Sequence, residues 1–405
     1  MRHGYRWLPL PLVSFDSDAG LGYGGRFEMY NYGHRKKKPY EYWLALQFFR
    51  TTKGVNTHRI KFDLPWIRGS RWRLSGGLLY LSEYKAPWYG LGGDAEYRPE
   101  YVTCGDRDAL KVDPDICPDN PDFRGLYYYT YRSFTPSSSI LARYEIDGPW
   151  QLYGMLHWRF ASIKTHYGEK NLGQTGSTKL LDDLAADEPI VGLRLRPDGT
   201  VALSGLSEIQ IGGAYDTRDH EPAPTSGSWH DLNLRVATPL LGGHFWYWGA
   251  AVSLRHYRAL DQGKRLVLAV RGLLEVTGGD VPFYHLSWTG GIESITVLGG
   301  SASLRGLQRN RFVGKIKLVM NSELRYRGLT LWARGHRFDL GGMVGLDAGR
   351  AWRGWDATDP FSEFPVSAIV GFRGVYDESF TMAIDYGRVL GEGVSATYVQ
   401  MSQMF

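Results

Sequence analysis

The stretch Asp231-Leu232-Asn233-Leu234-Arg235-Val236 alternates strictly between polar and apolar side chains. Successive side chains of a β-strand point to opposite faces of the sheet, so the stretch predicts a strand with one polar and one apolar face. The same alternation recurs at 55–65, 264–276 and 379–388. A soluble sandwich would alternate too. Here, however, charged residues stay on one face of strand after strand, which favours lipid outside the sheet and water or a plug inside it.

The composition supports strands rather than helices. The 405 residues include 51 glycines, 26 tyrosines and 14 tryptophans, and 22% are charged. This bias is typical of strands, tight turns and the aromatic girdles of membrane barrels. No apolar run approaches the roughly eighteen residues that a membrane helix needs. The chain is therefore predicted to be all-β and to cross a membrane with strands.

Counting alternating segments gives about sixteen strands with three long connections, at 84–126, 165–205 and 278–313. If alternate connections face the same side, all three long ones lie on one side, as in outer-membrane barrels. No linker or shift in composition divides the sequence. We therefore predict a 16-stranded antiparallel transmembrane β-barrel in the Gram-negative outer membrane, formed by residues 1–405 as one domain. The predicted strands lie near 5–15, 19–31, 41–52, 55–65, 70–83, 127–147, 150–164, 206–216, 229–238, 245–259, 264–277, 314–327, 338–353, 364–376, 379–389 and 394–405.

Polar connections carry three features that bear on ligands. Cys104 and Cys117 lie in an Asp- and Pro-rich stretch, where a disulfide suits an oxidising compartment and no zinc-type spacing is present. Residues 112–122 cluster oxygen ligands that would suit calcium, although a solvated loop is the preferred interpretation. The basic cluster at 35–38 is interpreted as a solvated turn rather than a nucleic-acid site. We therefore predict no metal, no cofactor and no nucleic acid.

The first strand contains Pro9 and Pro11, and the sequence ends on a strand closing with Phe405. Proline lacks the N–H that a strand ladder needs, and residues two apart direct this group to the same neighbour. If that neighbour is the last strand, the closing seam is weakly bonded and could open laterally; if it is the second strand, the feature is a frayed end. The sequence leaves both alternatives open.

The most specific motif is Leu304-Arg305-Gly306-Leu307, followed by Glu323 and Asp347. The period-two pattern predicts that both acids point toward the lumen. They lie on the two strands that directly follow the connection 278–313. A buried guanidinium needs carboxylate partners, and these acids would supply them. Gly349, in phase with Asp347, would leave room for the loop backbone to approach the wall.

This constellation resembles the BamA/TamA superfamily of outer-membrane assembly and translocation barrels. The resemblance implies that the loop 278–313 folds into the lumen, with Arg305 at its tip meeting Glu323 and Asp347. It also extends to Tyr89-Gly90-Leu91-Gly92 and to Asp216-Thr217-Arg218-Asp219. The family has an aromatic residue where this sequence has Leu307. The periplasmic POTRA repeats of the assembly members are expected to be missing, because the first strand begins close to Met1.

The resemblance implies a non-enzymatic barrel that assists insertion, translocation or organisation of outer-membrane components. Its expected partners are outer-membrane lipids and separate periplasmic proteins or lipoproteins. One alternative is a structural or interaction barrel without transport activity, and another is the barrel domain of a longer protein with POTRA repeats. An enzyme is not predicted, since the histidines have no serine and acid partners at suggestive spacing.

Overall fold

The computed structural model describes most of the chain, in segments separated by short gaps. The described residues are 4–33, 40–105, 117–169, 176–186, 190–192, 203–221, 223–333, 336–355, 364–376, 380–401 and 404–405. All strands of this part belong to one antiparallel sheet, in which strands that follow each other around the sheet are paired and the first strand pairs with the last. The sheet is therefore closed into a barrel.

The strands are β1 Tyr5–Asp16, β2 Gly20–Asn31, β3 Tyr42–Thr51, β4 Val55–Leu64, β5 Trp72–Pro87, β6 Thr130–Phe134, β7 Ser137–Glu145, β8 Trp150–Thr165, β9 Ser204–Asp216, β10 Gly227–Ala237, β11 Tyr247–Ala259, β12 Leu266–Gly279, β13 Ile316–Ala333, β14 His336–Trp352, β15 Val366–Tyr376, β16 Phe380–Val389 and β17 Ser395–Gln400. In the described parts of the connections there is an α-helix at Lys179–Ala185, and there are 3₁₀ turns at Ile67–Gly69, Pro99–Val102, Pro239–Leu241 and Phe283–His285. No helix within the described segments is long and apolar enough to cross a membrane.

Strands β6 and β7 are two halves of one barrel strand. Both pair with β5 on one side and with β8 on the other. Between them lies Pro136, whose missing N–H interrupts the ladder. The 17 segments therefore make 16 barrel strands, which confirms the predicted architecture.

The predicted alternation separates lumen from lipid. On β10, Leu232 and Leu234 are 59% and 55% exposed on the outer face, whereas Asn233 and Arg235 are each 2% exposed on the inner face. The same division holds on β12 and β13, where Arg271 and Glu323 are buried inside and Leu274 and Met320 are exposed outside. The outer face is the lipid-facing surface of the barrel.

Connections of very different length emerge at the two rims. The long ones, 88–129, 166–203 and 280–315, all leave the same rim. Long connections mark the extracellular side of outer-membrane barrels, and we call this the long-loop rim. The connection 280–315, hereafter the lumen loop, turns back into the barrel, where Arg305 is fully buried against side chains of the inner wall.

The closing seam between β1 and β17 is far shorter than the other ladders. Only Phe15 and Asp16 pair with β17, opposite Val399 and Tyr398, whereas β1 pairs with β2 along its whole length. Just above, the Ser17 N–H donates to the carbonyl of Thr397 over 3.3 Å. Most of the β1 edge therefore has no strand partner at the seam among the described residues.

The two prolines of β1 face this seam. Backbone groups alternate sides along a strand. Gly4 accepts a hydrogen bond from Tyr32, which follows β2, and Ser17, which follows β1, donates to Thr397 of β17. Even-numbered residues of β1 are thus directed to β2 and odd-numbered ones to β17. Pro9 and Pro11 therefore remove donors from the side of β1 that faces β17, not from the side that faces β2.

Candidate functional site

The lumen loop packs its tip into an apolar cluster on the inner wall. Leu304 and Leu307 are at most 1% exposed and flank the tip arginine. They pack with wall residues of β12, β13, β14 and β16 and with other loop residues; the cluster comprises Leu273, Val297, Leu298, Leu304, Leu307, Phe312, Val319, Ala351 and Val389. Leu307, where the family has an aromatic, therefore still fills an apolar pocket.

Arg305 binds Asp347 of β14 through a two-pronged ion pair. Its Nε donates to Asp347 Oδ2 over 2.8 Å and its Nη2 to Oδ1 over 3.0 Å. The backbone N–H of Arg305 also donates to Oδ2, over 3.1 Å. The remaining nitrogen, Nη1, lies 2.7 Å from Glu323 Oε1 on β13. The structure thus brings together the arginine and both acids that the sequence singled out.

A third acid, Asp385 of β16, completes the arginine's surroundings. Its Oδ2 lies 3.0 Å from Arg305 Nη1. Asp385 also pairs with Arg373 on β15, while Arg325 Nε lies 2.7 Å from Glu323. Asp385 belongs to the alternating stretch 379–388, but the sequence motif around Arg305 does not include it. Asp385 lies 80 positions after Arg305 in the sequence, so no local sequence pattern predicts the contact between them.

Charge in the anchor is nearly balanced, which makes burial of Arg305 tolerable. Glu323, Asp347 and Asp385 face Arg305, Arg325 and Arg373, and each of the three acids is at most 2% exposed. Burial alone lowers the pKa of Arg305, but Asp347 and Glu323 outweigh it and hold this pKa above its ordinary value. The guanidinium therefore stays charged. We call Arg305, Glu323, Asp347 and Asp385 the loop anchor.

Backbone fit at the tip depends on glycine. Gly306 has φ +105°, a conformation that L side chains rarely adopt, and packs against Gly387 of β16. A Cβ on Gly387 would lie 2.6 Å from the carbonyl carbon of Arg305. Gly349, which was expected to make room for the loop backbone, instead faces the side chain of Leu298. The close backbone approach thus occurs at Gly387, a position that no sequence motif marks.

The lumen loop also holds the long-loop rim end of the seam. The Gly306 N–H donates to the Tyr398 hydroxyl of β17 over 3.2 Å, and this hydroxyl donates to the Leu307 carbonyl over 3.3 Å. The Arg309 N–H donates to Asp18 in the β1–β2 turn over 2.6 Å. Arg309 Nη1 further pairs with Glu83 over 2.5 Å. One loop therefore contacts both sides of the seam.

A second set of contacts fixes the first half of the lumen loop. Lys317 Nζ donates to the carbonyls of Leu286 and Trp288 over 2.8 and 2.7 Å, and lies 3.0 Å from Glu275. On β10, three strands away, the Ile292 N–H donates to Asp231 over 2.8 Å. The first half of the loop is thus attached to several neighbouring strands.

The last residues of the sequence also lie in the lumen. The sequence predicts that Phe405 ends the seam strand, but this prediction is wrong, because β17 ends at Gln400. The Phe405 ring lies beneath Arg271 and Arg325, 4.9 and 5.0 Å from their guanidinium carbons, and Arg325 donates to its carbonyl over 2.8 Å. These cation–π contacts account for the inward position of Phe405. Pro9 and Pro11 lie on the opposite side of the seam.

The predicted disulfide between Cys104 and Cys117 is confirmed, with a Cα–Cα distance of 5.8 Å. Asp119 lies beside it, but bonded sulfurs are not metal ligands. The calcium alternative at 112–122 falls partly on 112–116, outside the described residues. For the described part of this loop, the structure adds no argument for a cation.

A closed barrel whose lumen-facing side is polar and whose outer face is apolar defines a transmembrane β-barrel of the outer-membrane class. Residues 47–387 match the Omp85 superfamily domain, and the chain belongs to this superfamily. It is accordingly an outer-membrane barrel of the Gram-negative type. A comparison with curated protein sequences finds no match.

Solved structures share the fold at low sequence identity. BamA from Haemophilus ducreyi lacking POTRA domains 1–3 is 15% identical, with a TM-score of 0.59; the match covers 99% of this chain and 70% of that one. CdiB from Escherichia coli is 11% identical (TM-score 0.58, 97% and 63% covered), and CdiB from Acinetobacter baumannii is 12% identical (TM-score 0.53, 98% and 59% covered). The chain thus spans about two thirds of these proteins.

Proposed function

We propose that residues 1–405 act as one barrel unit that assists insertion, translocation or organisation of outer-membrane components through its seam, without enzymatic activity. Separate periplasmic proteins or lipoproteins would deliver its clients. The observation that carries this proposal is the two-pair seam between β1 and β17, with Pro9 and Pro11 directed toward it. Each missing ladder bond lowers the free energy needed to part the strands.

Contacts of the lumen loop hold this seam closed. Gly306 holds Tyr398 on β17, and Arg309 holds Asp18 beside β1. Opening at the long-loop rim therefore requires that at least one of these contacts be released. Below Phe15 the described residues of β17 offer no pairing to β1, so an arriving strand would find a free edge there.

A disulfide across the seam should abolish the activity. Phe15 and Val399 are paired residues on β1 and β17, so the double variant Phe15→Cys/Val399→Cys can be locked by oxidation. We expect this variant, as the only copy in its host, to leave the amounts of folded barrels and lipoproteins in the outer membrane as low as in a strain lacking the protein. Reductant should restore them.

The matched control is Val13→Cys/Tyr23→Cys, a pair inside the complete β1–β2 ladder. It should support normal outer-membrane composition when oxidised. Wild-type cells treated with reductant control for opening of the Cys104–Cys117 bond. Normal composition with the seam locked would rule out lateral opening, and an unchanged outer membrane in the deletion strain would contradict the proposed function itself.

A structural barrel is the second candidate, and the buried loop anchor favours it. A plug held by three carboxylates could be permanent. Purification from native membranes in mild detergent separates the candidates: periplasmic proteins or lipoproteins recovered in stoichiometric amounts support the assembly role, whereas a solitary barrel supports the structural one.

A further inference from the structure

A polar cleft interrupts the lipid-facing wall at the long-loop rim. It has a volume of about 420 Å³, and its outward-facing lining comprises Arg50, Asn56, Ser82, Tyr84, Arg132 and Lys164. Its origin lies in the strand irregularities nearby. The β5–β6 register shifts between Glu83 and Ala86, and Pro136 separates β6 from β7. Such irregularities bend strands and open the surface locally.

Aromatic rings fix the height of this cleft in the membrane. Phe48, His58, Tyr80 and Phe134 form a continuous row on the outer face, with neighbouring ring centroids 5.4, 5.2 and 5.3 Å apart. Aromatic rows of this kind lie at the membrane interface of β-barrels. Arg50 lies two residues beyond Phe48 on the same face, toward the rim. The cleft is therefore level with the headgroups of the outer leaflet.

The cleft carries excess positive charge. Arg50 and Lys164 are exposed and have no ion pair within the described segments. Arg132 donates to the Tyr84 hydroxyl over 2.8 Å and to Glu169 over 2.7 Å, so its charge is compensated. On β10, β11 and β12, the outer face near the same rim presents apolar side chains: Val236, Trp248 and Leu274. Two uncompensated cations on one side of a lipid-facing wall call for anionic partners.

The two cations stand at opposite ends of the cleft. Arg50 belongs to β3, and Lys164 belongs to β8 beside Arg132. Arg50, Asn56, Ser82 and Phe134 are successive cross-strand partners. At about 4.8 Å per strand, the four spacings from β3 to β8 place the backbones of the two cations about 19 Å apart, a distance that their long side chains can shorten. Asn56, Ser82 and Ser162 provide amide and hydroxyl groups between the two ends.

From this arrangement we propose that the cleft binds the diphosphorylated sugar headgroup of an outer-leaflet glycolipid. One phosphate meets Arg50, and the second meets Lys164 and the free donors of Arg132. Hydroxyls of the sugar face Asn56 and Ser82, and the acyl chains lie against the aromatic row. Charge-assisted hydrogen bonds from Arg and Lys are the usual means by which proteins hold phosphate. The proposal rests on the membrane location and is independent of seam opening.

Native mass spectrometry of the full chain in detergent micelles tests this site. We expect one copy of diphosphoryl lipid A to bind most tightly, with monophosphoryl lipid A and phosphatidylglycerol weaker. Arg50→Gln/Lys164→Gln should weaken diphosphoryl lipid A by about tenfold or more, as expected for loss of two charge-assisted contacts. Arg50→Lys/Lys164→Arg should retain binding.

The matched control is Arg258→Gln/Arg265→Gln, which removes two exposed cations at the opposite rim. It should bind diphosphoryl lipid A like the wild type. Heat-modifiable electrophoretic mobility establishes that each variant is folded. Equal binding by the Arg50/Lys164 variant and the wild type would overturn the site. Equal affinity for monophosphoryl lipid A would overturn its two-ended geometry, and equal affinity for phosphatidylglycerol would overturn the choice of a glycolipid.

Discussion

Arg305→Ala is expected to release the lumen loop and destabilise the barrel. The substitution removes the cation that pairs with Asp347, which is 0% exposed, whereas Glu323 and Asp385 keep their contacts with Arg325 and Arg373. Removing one partner of a buried ion pair costs about 3–5 kcal/mol, because the remaining charge has no compensation. In semi-native electrophoresis the folded band should disappear at a lower temperature than for the wild type.

Protease sensitivity provides the second measurement for Arg305→Ala. Arg309 and Arg311 follow the tip, and trypsin should cleave there once the tip leaves the wall. Arg305→Lys should give an intermediate result, since an ammonium group keeps the charge but cannot form the two-pronged contact with Asp347. Arg258→Ala, which removes an exposed guanidinium, is the control and should behave like the wild type. Unchanged melting and loop protection in Arg305→Ala would show that the anchor does not hold the loop.

Strand number, inward-facing side chains and the rim of the long connections could all be predicted from sequence. Each depends on a period of two, which is a local property of the chain. The ends of β13 were less predictable: the strand runs to Ala333, beyond the predicted 314–327. Its extension pairs with β14 beyond a register shift between Arg327 and Leu329, where the alternation changes phase, so the period-two pattern stops at Arg327.

The anchor was predictable only in part, for a physical reason. Glu323 and Asp347 lie on the two strands that directly follow the loop, so sequence order brings them to it. Asp385 and Tyr398 reach the same tip only because the barrel closes, which places β16 and β17 beside it. Pro9 and Pro11 illustrate the same limit. Because proline has no N–H, these two residues indicate a weakly bonded strand edge, but only the closed sheet shows which neighbouring strand that edge faces.

Gly387→Ala is expected to expel the loop tip without removing any charge. A Cβ at Gly387 would lie 2.6 and 2.7 Å from the carbonyl carbon and oxygen of Arg305, and 2.8 Å from the Gly306 nitrogen. These atoms are backbone, so no flexible side chain can move aside. Either β16 or the tip must shift, and a tip held by fixed ion pairs loses its geometry. We expect faster tryptic cleavage after Arg309 and a lower melting temperature, approaching the Arg305→Ala result.

The matched control is Gly272→Ala on β12, where an added Cβ meets no atom within 4 Å. It should leave both measurements unchanged, because a strand glycine on the outer face has space for a methyl group. The double variant Arg305→Ala/Gly387→Ala distinguishes loss of the loop from general damage to β16. If Gly387→Ala acts by expelling the tip, it should change the cleavage rate and the melting temperature little in a protein that already carries Arg305→Ala. If the effects of the two substitutions on these measurements are fully additive, Gly387→Ala acts elsewhere in the barrel. In that case the close packing of the two glycine backbones is as necessary for the position of the tip as the ion pairs are. Both keep the lumen loop in place, where it forms hydrogen bonds with Tyr398 and Asp18 on the two sides of the seam.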